Sequence, residues 1–211
     1  MPETRQGMFC DYCGTYRIRR IRLVGENGLF ACDTCGREYV QRVLPMFIVT
    51  GASGSGKTAV IPHLQRLLPE FGVFDKDLMW TGDADLAHNN FFRIASALAQ
   101  GGRLTVIVGT LLPEFFVELS DRNLVGEIRY ANLHCAPDLR AWRLLSRRTW
   151  DIPGNDFIRK HQEFAGWLLE HADTDFGAPM PTFDTTFASP EDVARQVADW
   201  IRSQGAVAGT P

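Results

Sequence analysis

The sequence predicts an α/β protein: a five-stranded parallel sheet covered on both faces by helices, with a small β unit ahead of it. Three observations carry that prediction. From about residue 45, apolar strand-like runs alternate with helical stretches, the pattern of parallel strands joined by crossover helices. A glycine-rich octapeptide, Gly51-Ala52-Ser53-Gly54-Ser55-Gly56-Lys57-Thr58, lies between the first such strand and the first such helix. Ahead of residue 45, four of the five cysteines fall in two C-x-x-C pairs.

A chain of 211 residues can bury one good-sized core and carry a small appendage. We divide it into residues 1–44, the cysteine-bearing unit; residues 45–203, the α/β domain; and residues 204–211, a flexible tail. The formal net charge of −3 argues against bulk attraction to nucleic acid or membrane. No apolar run reaches membrane-spanning length, and the polar N-terminus does not read as a signal peptide. The expected location is the cytoplasm, where paired cysteines serve metals rather than disulfides.

Cys10, Cys13, Cys32 and Cys35 give C-x2-C-x18-C-x2-C, a spacing that suits one zinc ion in a closed tetrahedron of thiolates. Gly14 and Gly36 follow each pair, where a turn with positive φ is needed. Residues 17–24 and 29–31 flank Gly25-Glu26-Asn27-Gly28, a strand–turn–strand pattern. This segment resembles a zinc ribbon, with a structural metal that lets so small a unit fold. A redox dithiol pair is the competing reading, set against it by the lack of a thioredoxin-like βαβ pattern. Arg17, Arg19, Arg20 and Arg22 crowd the first ribbon strand. They suit nucleic-acid phosphates, a solvated face or a dock onto the acidic main domain; because they fall on both faces of the strand they form no coherent stripe. Whether the ribbon packs on the main domain or swings on Val43-Leu44-Pro45 is open at this stage.

In the main domain, Met46 to Thr50 reads as a buried strand, and Val60, Leu64, Leu67 and Leu68 recur at helical spacing behind the octapeptide. Residues 72–74 form a short second strand and residues 86–100 a helix stopped by Gly101-Gly102. Residues 104–108 make a third strand, 113–119 a short helix, 127–134 a fourth strand, 137–148 a helix opened by Pro137, and 155–171 another helix. Thr182-Phe183 ends a fifth strand, and Ser189-Pro190-Glu191-Asp192 opens the last helix with a cap, a proline and two acids.

The octapeptide reads G-x-x-x-x-G-K-T, the phosphate-binding P-loop, in the strand–loop–helix setting that gives the motif its meaning. Its glycines let successive N–H groups turn inward toward phosphate oxygens, and the helix N-terminus adds partial positive charge. Lys57 is expected to reach the β- and γ-phosphates of ATP, and the Thr58 hydroxyl to ligate Mg²⁺. Asp75 and Asp77 follow the second strand at the sheet edge where ligands bind in open α/β folds. Two apart on an extended backbone, they would point the same way, one toward magnesium and one toward an attacking hydroxyl. Read in isolation, Asp-Lys-Asp is a solvated turn.

With this loop and the Phe-Asp-Lys-Asp run one helix later, residues 45–203 resemble small P-loop kinases of the shikimate and gluconate kinase type. The resemblance implies that Asp75 serves the magnesium shell and Asp77 meets the acceptor hydroxyl. It also implies that Asp184-Thr185, in Phe183-Asp184-Thr185-Thr186, lies near the adenine. It places a lid on the run Arg140, Arg143, Arg147, Arg148, with Arg147 or Arg148 covering adenine and serving catalysis. Arg143 has no clear place, and Arg140 reads as surface charge. Trp150 to Asn155 would be the hinge or lid tip.

Two features depart from the family. The third strand runs into Gly109-Thr110 without the acid of a Walker B motif, which disfavours a motor ATPase. Gly109 would let a substrate approach the backbone and Thr110 would bond it. The shikimate-binding arginines have no counterpart, which argues against shikimate. His88, Asn89 and Asn90 lie where acceptors are recognised. Of Trp80, Phe91, Phe92 and Trp142, Trp80 is the site candidate, and the others suit a core. His134 and Cys135 read as buried scaffold, His63 and His161 as exposed. The expectation is an ATP- and Mg²⁺-dependent kinase acting on a hydroxyl or phosphate of a small molecule, with structural zinc. The alternatives are a nucleic-acid-binding P-loop NTPase or end-processing kinase that reads through its ribbon, and a nucleotide-binding scaffold. Oligomeric state is not legible.

Overall fold

A computed structural model describes residues 3–4, 10–15, 18–146 and 154–205. It contains two sheets. The N-terminal one is built from β1 (Glu3–Thr4), β2 (Ile18–Val24), β3 (Asn27–Cys32) and β4 (Glu38–Arg42), in the order β1-β4-β3-β2. β2, β3 and β4 run antiparallel in turn, and β1 adds parallel to β4. The β2–β3 register shifts between Arg20 and Arg22, a bulge at Ile21. β1 and β4 were not anticipated.

The second sheet is five-stranded and wholly parallel. Its strands are β5 (Met46–Thr50), β6 (Gly72–Asp75), β7 (Thr105–Val108), β8 (Ile128–His134) and β9 (Thr182–Asp184), in the order β6-β7-β5-β8-β9. Every residue of β5 is buried. Met46 and Ile48 face one layer and Phe47 and Val49 the other, as the strand's period of two demands. The first layer holds Phe91, Phe92 and Ala95 of α2 (Ala84–Gln100) and Leu168 of α4 (Asn155–Glu170). The second holds Val60, Ile61 and Leu64 of α1 (Lys57–Leu67) against Val193, Val197 and Ile201 of α5 (Pro190–Gly205). Each large apolar side chain so enclosed contributes about 1.5–3 kcal/mol relative to exposure. α3 (Pro137–Leu145) follows β8 in the chain and contacts α4. It ends three residues short of the expected 148, and residues 147–153 lie outside the described residues; of the expected hinge, Trp150 to Asn155, only Gly154 and Asn155 are described, as the cap and first residue of α4. Residues 113–116 form a 3-10 turn instead of a longer helix.

The chain leaves β5 for β6 and β7 on one side and returns to β8 and β9 on the other. The crevice above the carboxyl end of β5 is therefore a switch point, the place where open α/β sheets bind ligands.

The ribbon sheet packs on the main sheet's domain. Phe30 and Val43 bury against Leu124. Gln100 bonds both the N–H and the carbonyl of Arg42, as a neighbouring strand would. Arg20 donates to Val125 O at 3.2 Å. Among the described residues no helix is long and apolar enough to cross a membrane.

Candidate active site

The P-loop follows β5 directly. Gly51, Gly54 and Gly56 take φ of 149, 85 and 95°, a region closed to most side chains. At Gly54 a methyl group would also meet Arg140 Cγ at 2.8 Å. Lys57 opens α1, and its ammonium donates to Gly51 O at 2.7 Å and Ala52 O at 2.9 Å, across the mouth of its own loop. Ser55 is buried, and its hydroxyl has no partner among the described residues.

A cavity of about 650 Å³ opens over this loop, bounded by Lys57, Thr58, Asp77, Thr110, Arg143 and Thr185 among others. Lys57, Thr58, Asp77 and Thr185 were all expected at one site, and the structure brings them to one cavity. Ser53, Gly54 and Gly56 also line it; Asp75 and Asp184 do not.

The Asp-Lys-Asp segment is not extended throughout. β6 stops at Asp75, and Lys76–Met79 winds into a 3-10 turn whose first N–H groups need an acceptor. Asp75 Oδ1 supplies it, taking the Asp77 N–H at 2.9 Å. The two carboxylates therefore diverge: Asp75 caps the turn, and Asp77, with its side chain 73% exposed, faces the cavity paired with the Lys76 ammonium. The aliphatic stem of Lys76 lies where a Cβ on Gly109 would be, so the space beside Gly109 is filled by protein and not left for substrate. Thr110, too, spends its proton inside the fold, on Gly51 O at 2.8 Å.

Arg143 is the residue that sequence reasoning could not place. It donates to Thr185 O at 2.9 Å, Thr185 Oγ1 at 3.1 Å and Gly54 O at 3.4 Å, tying the P-loop to the turn after β9. Thr185 Oγ1 also lies 2.9 Å from Ser55 O. Asp184 turns aside: its carboxylate accepts from Thr186 N at 2.8 Å and from the Thr186 hydroxyl, which holds its pKa below the usual carboxylate value. Arg140 is not surface charge. It is 2% exposed, under the loop, and donates to Cys135 O at 2.7 Å. The shared helical face of Arg140 and Arg143 was the available signal for both. Arg147 and Arg148 lie outside the described residues.

A second cavity, of about 350 Å³, adjoins the first, sharing Lys76 and Thr110 with it. Trp80, Asp85, His88 and Phe115 line it over a floor of Phe91 and Leu111. Trp80 and His88 were expected near an acceptor; Phe115 was missed. Asn89 and Asn90 serve the scaffold, accepting from Asp121 N and from Arg93. Phe92 is core, as expected, while Trp142 is exposed on α3 and His63 and His161 are half-buried instead of exposed.

In the ribbon, the four thiols lie within 4.8 Å of one another. Cys10 and Cys35 are 3.6 Å apart and Cys13 and Cys32 3.5 Å apart. Thiolates bound at ~2.3 Å around a tetrahedral zinc ion would be roughly 3.8 Å apart, so the donor set fits that metal. Gly14 and Gly36 take φ of 72 and 74°, and their N–H groups close the turns on Cys10 O and Cys32 O. Burial acts to raise the Cys10 thiol, but the Tyr39 hydroxyl and backbone N–H groups outweigh it and bring the thiol down to about 6. Of the ribbon arginines, Arg19 pairs with Asp33 and Arg20 docks on the main domain; Arg17 lies outside the described residues.

No protein-family model matches the chain, and no curated protein does either. Solved structures do. A sugar kinase from Janibacter sp. HTCC2649 is 13% identical, with a TM-score of 0.53 over 80% of this chain and 99% of that one. A gluconokinase from Sinorhizobium meliloti 1021 is 15% identical, with a TM-score of 0.52 over 77% of this chain and 94% of that one. The tunicamycin resistance protein of Deinococcus radiodurans is 20% identical, with a TM-score of 0.53 over 76% and 96%. Residues beyond the ribbon thus have the fold shared by small-molecule P-loop kinases, and to it this chain adds a β sheet bearing four clustered cysteines.

Proposed function

We propose that the chain is an ATP- and Mg²⁺-dependent kinase that transfers the γ-phosphate to a hydroxyl or phosphate of a small molecule. One observation carries the reading. Lys57 and Asp77, a cation for phosphate and a carboxylate for an acceptor, line one cavity that continues into a second, aromatic-walled one. The fold shared with sugar and gluconate kinases supports it.

In this reading, residues Gly51 to Thr58 cradle the triphosphate, and the Lys57 ammonium exchanges the Gly51 and Ala52 carbonyls for phosphate oxygens. Thr58, at the cavity wall, would offer a hard oxygen donor of the kind Mg²⁺ takes, and Asp75, outside the cavity lining, would do so only through the oxygen that does not cap the turn. That ion, when bound, offsets charge on the phosphates. Asp77 keeps Lys76 on Oδ1, accepts the acceptor's hydroxyl proton on its other oxygen and aims the acceptor oxygen at the γ-phosphorus. Arg143 adds positive charge beside the loop, and Arg147 or Arg148 completes the lid. Thr185, with Asp184 behind it, bounds the base end. Cys10, Cys13, Cys32 and Cys35 hold structural Zn²⁺, a use that suits the cytoplasm.

The test is phosphoryl transfer from labelled ATP across a panel of hydroxyl acceptors. Asp77→Asn is expected to lower transfer by about 100-fold or more while ATP affinity changes little. Equal turnover by the variant would refute the role given to Asp77.

A further inference from the structure

We infer that the acceptor is an uncharged hydroxylated molecule with a flat ring, nucleoside-like in its chemistry, and not a sugar acid; this rests on the kinase reading above. The argument comes from the walls of the second cavity. Trp80 is 61% exposed and Phe115 40% exposed, both beside the opening and neither needed by the core. The Phe115 ring is itself held flat against His88, with centroids 5.8 Å apart and planes 5° from parallel. Two large rings presented to water at a cavity lined beneath by Phe91 and Leu111 make a surface that an aromatic or heteroaromatic ring would cover well.

The charges point the same way. Lys76 is the single cation among the described lining residues, and its ammonium is engaged by Asp77. Arg93 is held by Asp121 and Asn90, and Arg122 by the carbonyls of Val125 and Gly126. A carboxylate placed here would therefore face Asp85 with no guanidinium among the described lining residues to receive it. A neutral ligand meets no such penalty. Asp85 can accept from a ribose hydroxyl or ring N–H. His88 is kept toward its neutral form by burial and by Lys76 against the pull of Asp85, and adds an uncharged polar contact. The volume of about 350 Å³ lies within the range of small-molecule sites. Because Lys76 and Thr110 border both cavities, a ring stacked on Trp80 leaves its hydroxyl end toward Asp77.

Calorimetric titration of the full-length chain tests this, with the P-loop saturated by a non-hydrolysable ATP analogue so that a titrated nucleoside cannot occupy the nucleotide cavity. Uridine and cytidine are expected to bind at least about tenfold more tightly than gluconate. Trp80→Ala should weaken the nucleosides by about tenfold or more, and Trp80→Phe should restore most of that, with analogue binding constant throughout. Gluconate binding as tightly as uridine, no nucleoside binding, or no effect of Trp80→Ala each overturns the inference while leaving the kinase reading standing. Failure of the analogue itself to bind removes both.

Discussion

At the scale of single residues, the site depends on how few groups tie the P-loop to its surroundings. Arg143 spans Gly54 O and both oxygens of Thr185, three bonds from one planar fork. Charge-assisted bonds of this kind contribute about 1.5–3 kcal/mol each when partners are not re-solvated, and much of that returns where water can enter. Arg143→Ala is therefore expected to weaken ATP binding by about tenfold, and Arg143→Lys to fall between, since an ammonium keeps the charge and loses the fork. Titration with an ATP analogue checks this; unchanged affinity in Arg143→Ala would show that the loop keeps its shape without the tie. The residues of the loop itself were legible, because glycines, Lys57 and Thr58 are dictated by local backbone and phosphate chemistry. Arg140 was not. An arginine on a helix is ordinarily solvated, and nothing nearby in the chain announces that Gly54, far off in sequence, leaves room for its stem or that Cys135 O will take its proton. Asp75 and Asp77 were legible as a pair but not in their divergence, since a turn that begins at Lys76 converts one of them into a cap.

At the scale of elements, the long apolar runs were legible and the short polar ones were not. β4 escaped notice because its buried positions, Tyr39 and Gln41, alternate one half-polar and one polar side chain, which is not the pattern of an apolar face. α1 carries a different irregularity. Pro62 sits well inside the helix and cannot donate to the Thr58 carbonyl one turn back. The burial of Val60, Ile61 and Leu64 holds the helix in spite of it. Because Pro62 is on the exposed face, its replacement leaves the core untouched. Pro62→Ala is expected to stabilise the protein by about 1–2 kcal/mol, the helix-propensity gain less the greater freedom of the unfolded chain. Denaturant unfolding measures it directly. A loss of stability would mean that the freed Thr58 carbonyl, beside the phosphate cradle, has a partner that the restored helical bond removes.

At the scale of the whole molecule, the cysteine cluster and the interface below it act together. The thiol cluster's own buried core is confined to Cys10, Cys32 and Tyr39, too little to hold four short strands. Chelation of the metal proposed for the four thiols is thus expected to remove amide-exchange protection from residues 18–42 while ATP-analogue binding, housed in the other sheet, survives. Exchange protection that persists without metal would refute a structural role for it. Acid should reach the fold by a second route. His134 and His88 are both lowered by burial, His134 further by Arg140 and His88 by Lys76. In each the folded value lies below the unfolded one, so the unfolded chain binds more protons as pH falls, and stability falls with it, beginning near the ordinary histidine value of ~6.5. Asp184, held down by Thr186, has the usual carboxylate sign: its contribution is present above ~4 and is lost below. All three effects run the same way, so the melting temperature should decline from pH 7.5 to 5.5 and again below about 4.5, with no stabilising limb between. Release of the metal by thiolate protonation would add to the first decline, and metal-free protein separates the two: the histidine contribution stays when the metal is gone. In that metal-free protein His134→Asn should flatten the slope between pH 7.5 and 5.5. A melting temperature that rises on acidification through this window would contradict the partial burial of both imidazoles.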